Sequence, residues 1–169
     1  MATQRLIIPV QSAKLVGSTV DGSLSFIDNP AGIDGGQNTW ALLFDASTDE
    51  SATFNFQMPG NYTGNPSVNL MGTMASAVAN DIDMRIDSKV LSSGNPNSTS
   101  VTGFSTETSF TTTVPSSAGF IFEMTAAIST GDFAADRFAT LRLARQTTSA
   151  NDTAAGDIEI RALTLEYTT

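Results

Sequence analysis

Apolar and polar residues alternate along several short segments of this chain, and a period of two is typical of β-strands with one buried face. The clearest alternation runs through Ala52–Met58, Asp81–Asp87, Leu141–Arg145 and Asp157–Arg161. The first segment stops at Pro59-Gly60-Asn61, which predicts a turn because proline restricts φ and glycine or asparagine accepts positive φ. Each segment therefore predicts a strand, and we expect Phe54 and Phe56 to lie on a buried face.

The alternation changes phase near the carboxyl end of the chain. Apolar residues occupy even positions up to Ile160 and odd positions from Leu163 to Tyr167. One extra residue in a strand produces such a shift, because each added residue turns the following side chains to the opposite face. We therefore expect a β-bulge near Ala162-Leu163.

Less regular apolar runs, separated by turn residues, predict further strands. These runs are Gln4–Val10, Ser23–Ile27, Thr39–Asp45, Ser67–Met74, Thr106–Thr113 and Gly119–Ile128. About ten short strands without a helical period predict an all-β fold, a single antiparallel, jelly-roll-like β-sandwich domain over residues 1–169. Its predicted core contains Trp40, Phe44, Phe54, Phe56, Phe120 and Phe122.

Three segments fall outside the strand pattern. Residues 28–38 and 92–105 are rich in Gly, Asn, Asp, Ser and Thr, a composition that predicts irregular loops. A short helical turn is the alternative to a loop at Ser129–Asp136.

The composition excludes several kinds of catalytic chemistry. The 169 residues include no cysteine and no histidine, so disulfides, thiolate chemistry, a Ser-His-Asp triad and the common zinc ligands are absent. No phosphate-binding glycine loop occurs either. We expect a non-enzymatic protein without cofactor or metal.

The chain is acidic, with a formal net charge of −9. That charge repels phosphate backbones, so we expect no nucleic-acid partner. Two interpretations of the acidity stay open. It can serve solubility alone, or it can favour docking onto a basic protein surface.

An apolar run, Leu6-Ile7-Ile8, lies close to the amino terminus. It is too short for a signal-peptide core or a membrane span, so we expect no membrane association. The run can form the first strand of the protein's own sheet. Alternatively, it can act as an arm that adds a strand to a neighbouring subunit, which makes Leu6, Ile7 and Ile8 candidate interface residues.

Carboxylates are the remaining candidates for catalytic or metal-binding side chains. Asp45, Asp49 and Glu50 lie near Trp40 in the sequence, as a glycosidase pair with an aromatic platform would require. Calcium ligands could come from Asn80, Asp81 and Asp83, or from Asp28, Asn29 and Asp34. Neither set matches an EF-hand loop. Turn capping and a solvated strand face are the simpler interpretation of all these residues.

Two arginines, Arg142 and Arg145, lie at opposite parity on one predicted strand. They cannot both point away from a sandwich core unless one is near an edge or an interface. A surface pair with weak salt bridges is one interpretation. Contact with an acidic patch on another subunit is the other, and it makes both arginines candidate interface residues.

Several stretches resemble small jelly-roll virion proteins of tailed phages, including capsid decoration (cement) proteins. The resemblance lies in Trp40–Asp45, Asp49–Tyr62, Gly131-Asp132, Leu141–Arg145 and the stretch from Gly156-Asp157-Ile158 to Leu165-Glu166-Tyr167. It implies a protein that is made in the host cytoplasm, binds the major capsid protein on the virion surface and stabilises the head. It also implies a symmetric homo-oligomer, with a trimer as the expected state.

Two other functions remain open from the sequence. One is a tail- or fibre-associated virion protein, and the other is a carbohydrate-binding β-sandwich module. A sugar-binding module usually exposes several aromatic side chains or a polar pocket. One Trp and two Tyr make that second alternative less favourable.

Overall fold

The computed structural model describes residues 1–15, 24–27, 39–76, 79–91, 104, 107–129 and 133–169. The loop predicted at 28–38 lies wholly outside these residues, and of the loop predicted at 92–105 only residue 104 is described. In the segment Ser129–Asp136, the described residues from Phe133 onwards form an irregular stretch and a turn. The candidate calcium ligands Asp28, Asn29 and Asp34 also fall outside the described part.

Two antiparallel sheets account for the described strands. Sheet A has the strand order β3-β4-β11-β6-β9, and β1 also pairs with β11. Its strands are β1 (Thr3–Ile8), β3 (Leu24–Ile27), β4 (Thr39–Phe44), β6 (Gly64–Met74), β9 (Ile121–Ala127) and β11 (Ile158–Thr168).

Sheet B has the strand order β2-β5-β10-β7-β8. Its strands are β2 (Lys14–Leu15), β5 (Glu50–Gln57), β7 (Asp81–Leu91), β8 (Thr108–Thr113) and β10 (Phe138–Arg145). A 3-10 helix at Val10–Ser12 connects the two sheets near the amino terminus. The prediction of an all-β, antiparallel, jelly-roll-like sandwich is confirmed.

The inner faces of the two sheets form one apolar core. Phe44 of sheet A and Phe54 of sheet B are both fully buried, as are Leu141 and Ile158. Alternation explains this arrangement, because residues two apart on a strand point to the same face. Phe54 and Leu141 are also direct partners in the register of β5 with β10.

The predicted aromatic core is correct for some residues and wrong for one. Phe122 is buried, while Trp40 and Phe56 are partly buried against the core. Phe120 is 63% exposed, so its predicted burial is wrong. Gly119 adopts a φ of 76°, and β9 begins only at Ile121. Phe120 therefore lies in a turn and does not follow the inward parity of Phe122.

Strand β1 belongs to the protein's own sheet. It pairs with β11 in antiparallel register from Thr3 opposite Thr168 to Ile8 opposite Leu163. These rungs occupy the strand within the chain, which is the first-strand arrangement of the two alternatives. Ile8 is buried and Leu6 is partly buried, whereas Ile7 points outward and is 76% exposed. Of these three candidate interface residues, Ile7 alone presents most of its side chain to solvent.

A β-bulge interrupts β11, as the phase shift predicts. The register with β6 shifts between Ile160 and Ala162, so Arg161 is the extra residue. Ile160 and Leu163 are both buried in the core. Arg161 and Ala162 are therefore both left on the outer face, where they are partly exposed.

The glycine opposite this bulge has a packing role. A Cβ atom on Gly72 would lie 2.8 Å from the Cζ atom of Phe122 and 3.1 Å from the carbonyl oxygen of Glu159. Contacts under about 3 Å are repulsive at normal packing density. The absence of a side chain on Gly72 thus allows the Phe122 ring to fill the core beneath the bulge.

We expect Phe54→Ala to lower the free energy of unfolding by about 3–5 kcal/mol, because truncating a fully buried ring leaves a cavity. Phe120→Ala is the matched control, and its effect should stay within about 0.5 kcal/mol because that ring is exposed. Urea denaturation of both variants measures the difference. Equal losses in the two variants would contradict the assigned inner and outer faces.

Candidate functional site

An open groove of about 420 Å³ crosses the outer face of sheet A. Its volume lies within the range of about 300–1,000 Å³ that is usual for small-molecule sites. Strands β1, β11, β6 and β9 contribute its polar lining, which consists of Arg5, Asn69, Glu123, Thr125, Thr164 and Glu166. Met71 and Ala162 add apolar surface. Since residues two apart share a face, these side chains converge although they are distant in sequence.

The strand register orders the groove into rows of neighbouring side chains. Thr164 lies opposite both Ile7 and Asn69, and Asn69 lies opposite Thr125. Within this row the Thr125 hydroxyl donates to the Asn69 Oδ1 atom at 2.6 Å. That hydrogen bond fixes the amide orientation, so the Asn69 amide nitrogen can serve as a donor to a ligand.

An ion pair closes one end of the groove. Arg5 lies directly opposite Glu166 in the register of β1 with β11. The Arg5 Nε atom donates to the Glu166 Oε1 atom at 2.7 Å. The Arg5 side chain is 73% exposed and that of Glu166 is 21% exposed, so solvent weakens this pair.

A second ion pair lies on the same face beyond the bulge. The Arg161 Nη2 atom donates to the Glu159 Oε2 atom at 3.0 Å, and the Arg161 Nε atom donates to the Thr73 hydroxyl at 3.0 Å. The Thr73 hydroxyl donates in turn to Glu159 at 2.8 Å. The bulge brings Arg161 to this network and leaves Ala162 beside the groove.

The middle of the groove combines an apolar and an acidic side chain. Met71 is 36% exposed and lies between Ala162 and Glu123 in the register. Glu123 is exposed on the edge strand β9 and makes no hydrogen bond or ion pair with the described residues. Its carboxylate is thus available to accept hydrogen bonds from a ligand.

These groove residues were not among the candidates from the sequence. Asn69, Glu123 and Thr125 belong to strands whose alternation is less regular, and none lies in a cluster of acidic residues. The one signal that pointed to this face was the phase shift near Ala162, which correctly placed the bulge at its rim.

The two candidate interface arginines face opposite sides of sheet B. Arg142 lies on the outer face and makes a bidentate pair with Asp87. It also donates to Glu107 at 3.1 Å, and its guanidinium lies 4.9 Å from the centroid of the Phe104 ring. The opposite parity of Arg142 and Arg145 is therefore resolved by one of them pointing inward.

Arg145 points inward and is fully buried, which corrects its assignment as an interface residue. Its Nε and Nη2 atoms donate to both carboxylate oxygens of Asp152, each at 3.0 Å. The remaining hydrogen bonds go to the backbone carbonyls of Asp45, Ala154 and Gly156. All five N–H donors are satisfied within the chain, and this residue therefore has no group left for a partner.

The carboxylates near Trp40 accept hydrogen bonds from loops at the end of the sandwich where Arg145 is buried. Ser47 donates to Asp45 through its hydroxyl and its backbone N–H, and these bonds hold the Asp45 pKa below its usual value. Glu50 accepts the backbone N–H of Asp45 at 2.6 Å. These bonds match turn capping rather than an acid–base pair.

Asp49 caps the loop that follows β10. Burial raises the pKa of its carboxyl, but hydrogen bonds from the Thr147 hydroxyl and from the hydroxyl and backbone N–H of Thr148 outweigh this effect. These three bonds measure 2.9, 2.9 and 3.1 Å. The net result is a pKa below the usual value of 3.8.

Two of the candidate calcium ligands, Asp81 and Asp83, lie on β7. Asp81 accepts the hydroxyl of Thr113, and Asp83 is 2% exposed. The described part of the chain contains no group of three or more acidic, His or Cys side chains placed to hold a metal ion. In the same part, no helix is long and apolar enough to cross a bilayer.

Comparisons with known proteins show similarity in fold. No protein-family model and no curated protein matches the sequence. Among solved structures, the chain is similar to "CBM35 from Cellvibrio japonicus Abf62", with a TM-score of 0.51 and 10% identity over 96% of this chain and 92% of the other. A family 35 carbohydrate binding module from Clostridium thermocellum matches with a TM-score of 0.51 and 12% identity over 96% and 97%.

A third similar structure is the xylan-binding module CBM15, with a TM-score of 0.52 and 15% identity over 99% of both chains. All three matches cover nearly the whole of each chain. At identities this low, the structural matches establish a shared β-sandwich architecture and no more.

We expect Asp49→Asn to lower the Tm at pH 7 by about 2 °C, because the charge that strengthens three hydrogen bonds is lost. A carboxyl whose pKa is depressed by folding stabilises the protein above its unfolded pKa, and this contribution disappears as the pH falls through the folded pKa. The Tm difference between wild type and variant should thus shrink below pH 3.8.

Thermal unfolding followed by circular dichroism at pH 7 and at low pH measures this change. Asp136→Asn is the matched control, because Asp136 is an exposed aspartate whose carboxylate accepts no hydrogen bond in the described part. A Tm difference for Asp49→Asn that stays constant across the pH range would contradict the role given to its charge.

Proposed function

We propose that this protein is a non-catalytic carbohydrate-binding module and that the groove on sheet A is its binding site. The observation that carries the proposal is the groove itself, which lies on the outer face of a fold shared with carbohydrate binding modules. Four strands hold its side chains in fixed register, so the site is formed before a ligand arrives. Preformed sites bind with less loss of conformational entropy.

The chemistry of the lining suits a polyhydroxylated ligand. Asn69 and Thr164 offer neutral donors and acceptors, and the carboxylates of Glu123 and Glu166 accept from hydroxyl groups. Met71 supplies an apolar surface for the C–H face of a sugar ring. The chain has only one Trp and two Tyr for stacking on a sugar, and this groove relies instead on polar side chains and one methionine.

The spacing of the groove carboxylates supports binding without hydrolysis. Glu123 and Glu166 lie two strands and two rows apart in the register, which places their Cα atoms about 16 Å from each other. A glycosidase pair needs carboxyl groups roughly 5–9.5 Å apart. The Glu166 carboxylate bonds to Arg5 on β1, on the side of β11 away from β9, so it does not approach Glu123. The two residues are therefore better placed to hold opposite parts of a ligand.

A second candidate function is the capsid decoration role that the sequence resemblance implies. The observation that favours it is an exposed apolar corner at the start of the edge strand β9, where Phe120 and Ile121 are 63% and 61% exposed. An edge strand with apolar side chains is suited to contact another protein. In this role the protein would bind the major capsid protein as a homo-oligomer on the virion. A high copy number per purified particle would support it, and absence from particles would contradict it.

We expect Asn69→Ala to weaken glycan binding about tenfold, which corresponds to about 1.4 kcal/mol, because a ligand-facing amide is lost. Asn55→Ala is the matched control. Asn55 accepts the Thr140 hydroxyl at 2.7 Å on the outer face of sheet B, just as Asn69 accepts that of Thr125 on sheet A. Both variants lose one hydrogen bond between neighbouring strands, but only Asn69→Ala changes the groove.

A glycan array identifies the ligand, and isothermal titration calorimetry then compares the two variants. Binding that falls for Asn69→Ala and is retained by Asn55→Ala supports the groove. Equal affinity in both variants would place the site elsewhere, and the absence of binding to any glycan on the array would contradict the proposed function.

A further inference from the structure

We propose that the groove selects uncharged glycans over glycans that carry uronic acids, and that Glu123 sets this selectivity. The inference rests on the proposed function and adds the class of ligand. Its basis is the charge balance among the described residues on the outer face of sheet A, where each arginine is paired with a glutamate and one further glutamate is left over.

A ligand carboxylate would gain little affinity from Arg5, because this arginine is already paired with Glu166. Its Nε atom donates to Glu166 at 2.7 Å. A ligand carboxylate could compete for Arg5, because the arginine is 73% exposed. Glu166 is only 21% exposed, however, and would then lie unpaired beside a second negative charge. The attraction gained at Arg5 would be offset by repulsion from Glu166.

Arg161 is held more firmly than Arg5. It lies at the bulge and donates to both Glu159 and Thr73, and the Thr73 hydroxyl donates to the same glutamate. The arginine and glutamate side chains are 24% and 14% exposed. Because the network is closed and partly shielded from solvent, a ligand would have to break several hydrogen bonds to recruit this guanidinium.

Glu123 leaves the groove with an excess of negative charge. The groove is lined by one arginine and two glutamates, and Glu123 makes no ion pair with the described residues. The chain as a whole carries a formal net charge of −9. An anionic ligand thus meets repulsion both at long range and at the site.

For a neutral glycan the same carboxylate is favourable. A charged acceptor makes a stronger hydrogen bond to a hydroxyl group than a neutral acceptor does. Glu123 would therefore strengthen binding of an uncharged ligand and weaken binding of an acidic one. Both effects increase the difference between the two affinities, which is what specificity measures.

The test uses pairs of tetrasaccharides that differ only in oxidation at C6. Suitable pairs are a mannoside with a mannuronate, a galactoside with a galacturonate and a glucoside with a glucuronate. Titration calorimetry at low and high salt measures their affinities for the wild-type protein. In the pair that binds, we expect at least a tenfold preference for the neutral sugar at low salt. The preference should decrease at high salt, because screening weakens the repulsion.

Two substitutions with the same change in net charge separate the local effect from the global one. Glu123→Gln and Gln57→Lys each make the chain more positive by one unit. Gln57 is exposed at the end of β5 on sheet B, away from the groove. We expect Glu123→Gln to reduce the preference for the neutral sugar about tenfold, Glu123→Lys to reverse it, and Gln57→Lys to leave it nearly unchanged.

The outcomes distinguish this inference from the proposed function. If no glycan on the array binds, the proposed function fails and the selectivity fails with it. If a sugar binds but the uronate binds as tightly as its neutral counterpart, the selectivity alone is overturned. An equal response to Glu123→Gln and Gln57→Lys would overturn the role of Glu123, because the effect would then come from net charge.

Discussion

The guanidinium of Arg145 is buried at the end of β10, and its five N–H groups must be satisfied without water. Asp152 and three backbone carbonyls from Asp45, Ala154 and Gly156 meet that requirement. The loop between β10 and β11 is therefore fixed relative to the end of β4. Removing one partner of such a buried pair typically costs about 3–5 kcal/mol, because the other charge remains buried alone. The start of β11, and with it the register that builds the groove, depends on this interaction.

Alternation along the sequence predicts the strands because one face of each is buried, and that constraint is local. The bulge in β11 follows from the same rule. Features set by turns or by distant parts of the chain were not predictable in this way. Phe120 has the parity of a core residue, yet a turn at Gly119 places it outside the strand. Arg145 ends an alternating strand with a charged residue at an inward position, and only the folded loop supplies its partners.

The groove is harder to predict than the fold, because its side chains come from four strands that are far apart in sequence. Asn69, Thr125 and Thr164 are ordinary outward-facing residues until the strand order brings them into one row. The acidic cluster that is visible in the sequence contains Asp45, Asp49 and Glu50, and these residues cap loops instead. The chemistry of this surface is a product of topology, and alternation along the sequence does not reveal the strand order.

The pairing of β1 with β11 also determines how the protein would respond to mechanical force. The two chain ends lie side by side, since Thr3 is opposite Thr168 and the backbone N–H of Thr169 donates to the carbonyl of Ala2. Tension applied between the ends would load the antiparallel rungs one after another, as in opening a zipper, rather than all at once. Arg5 lies near the first rungs to open. Stretching would thus remove one wall of the groove while the core between the sheets stayed intact.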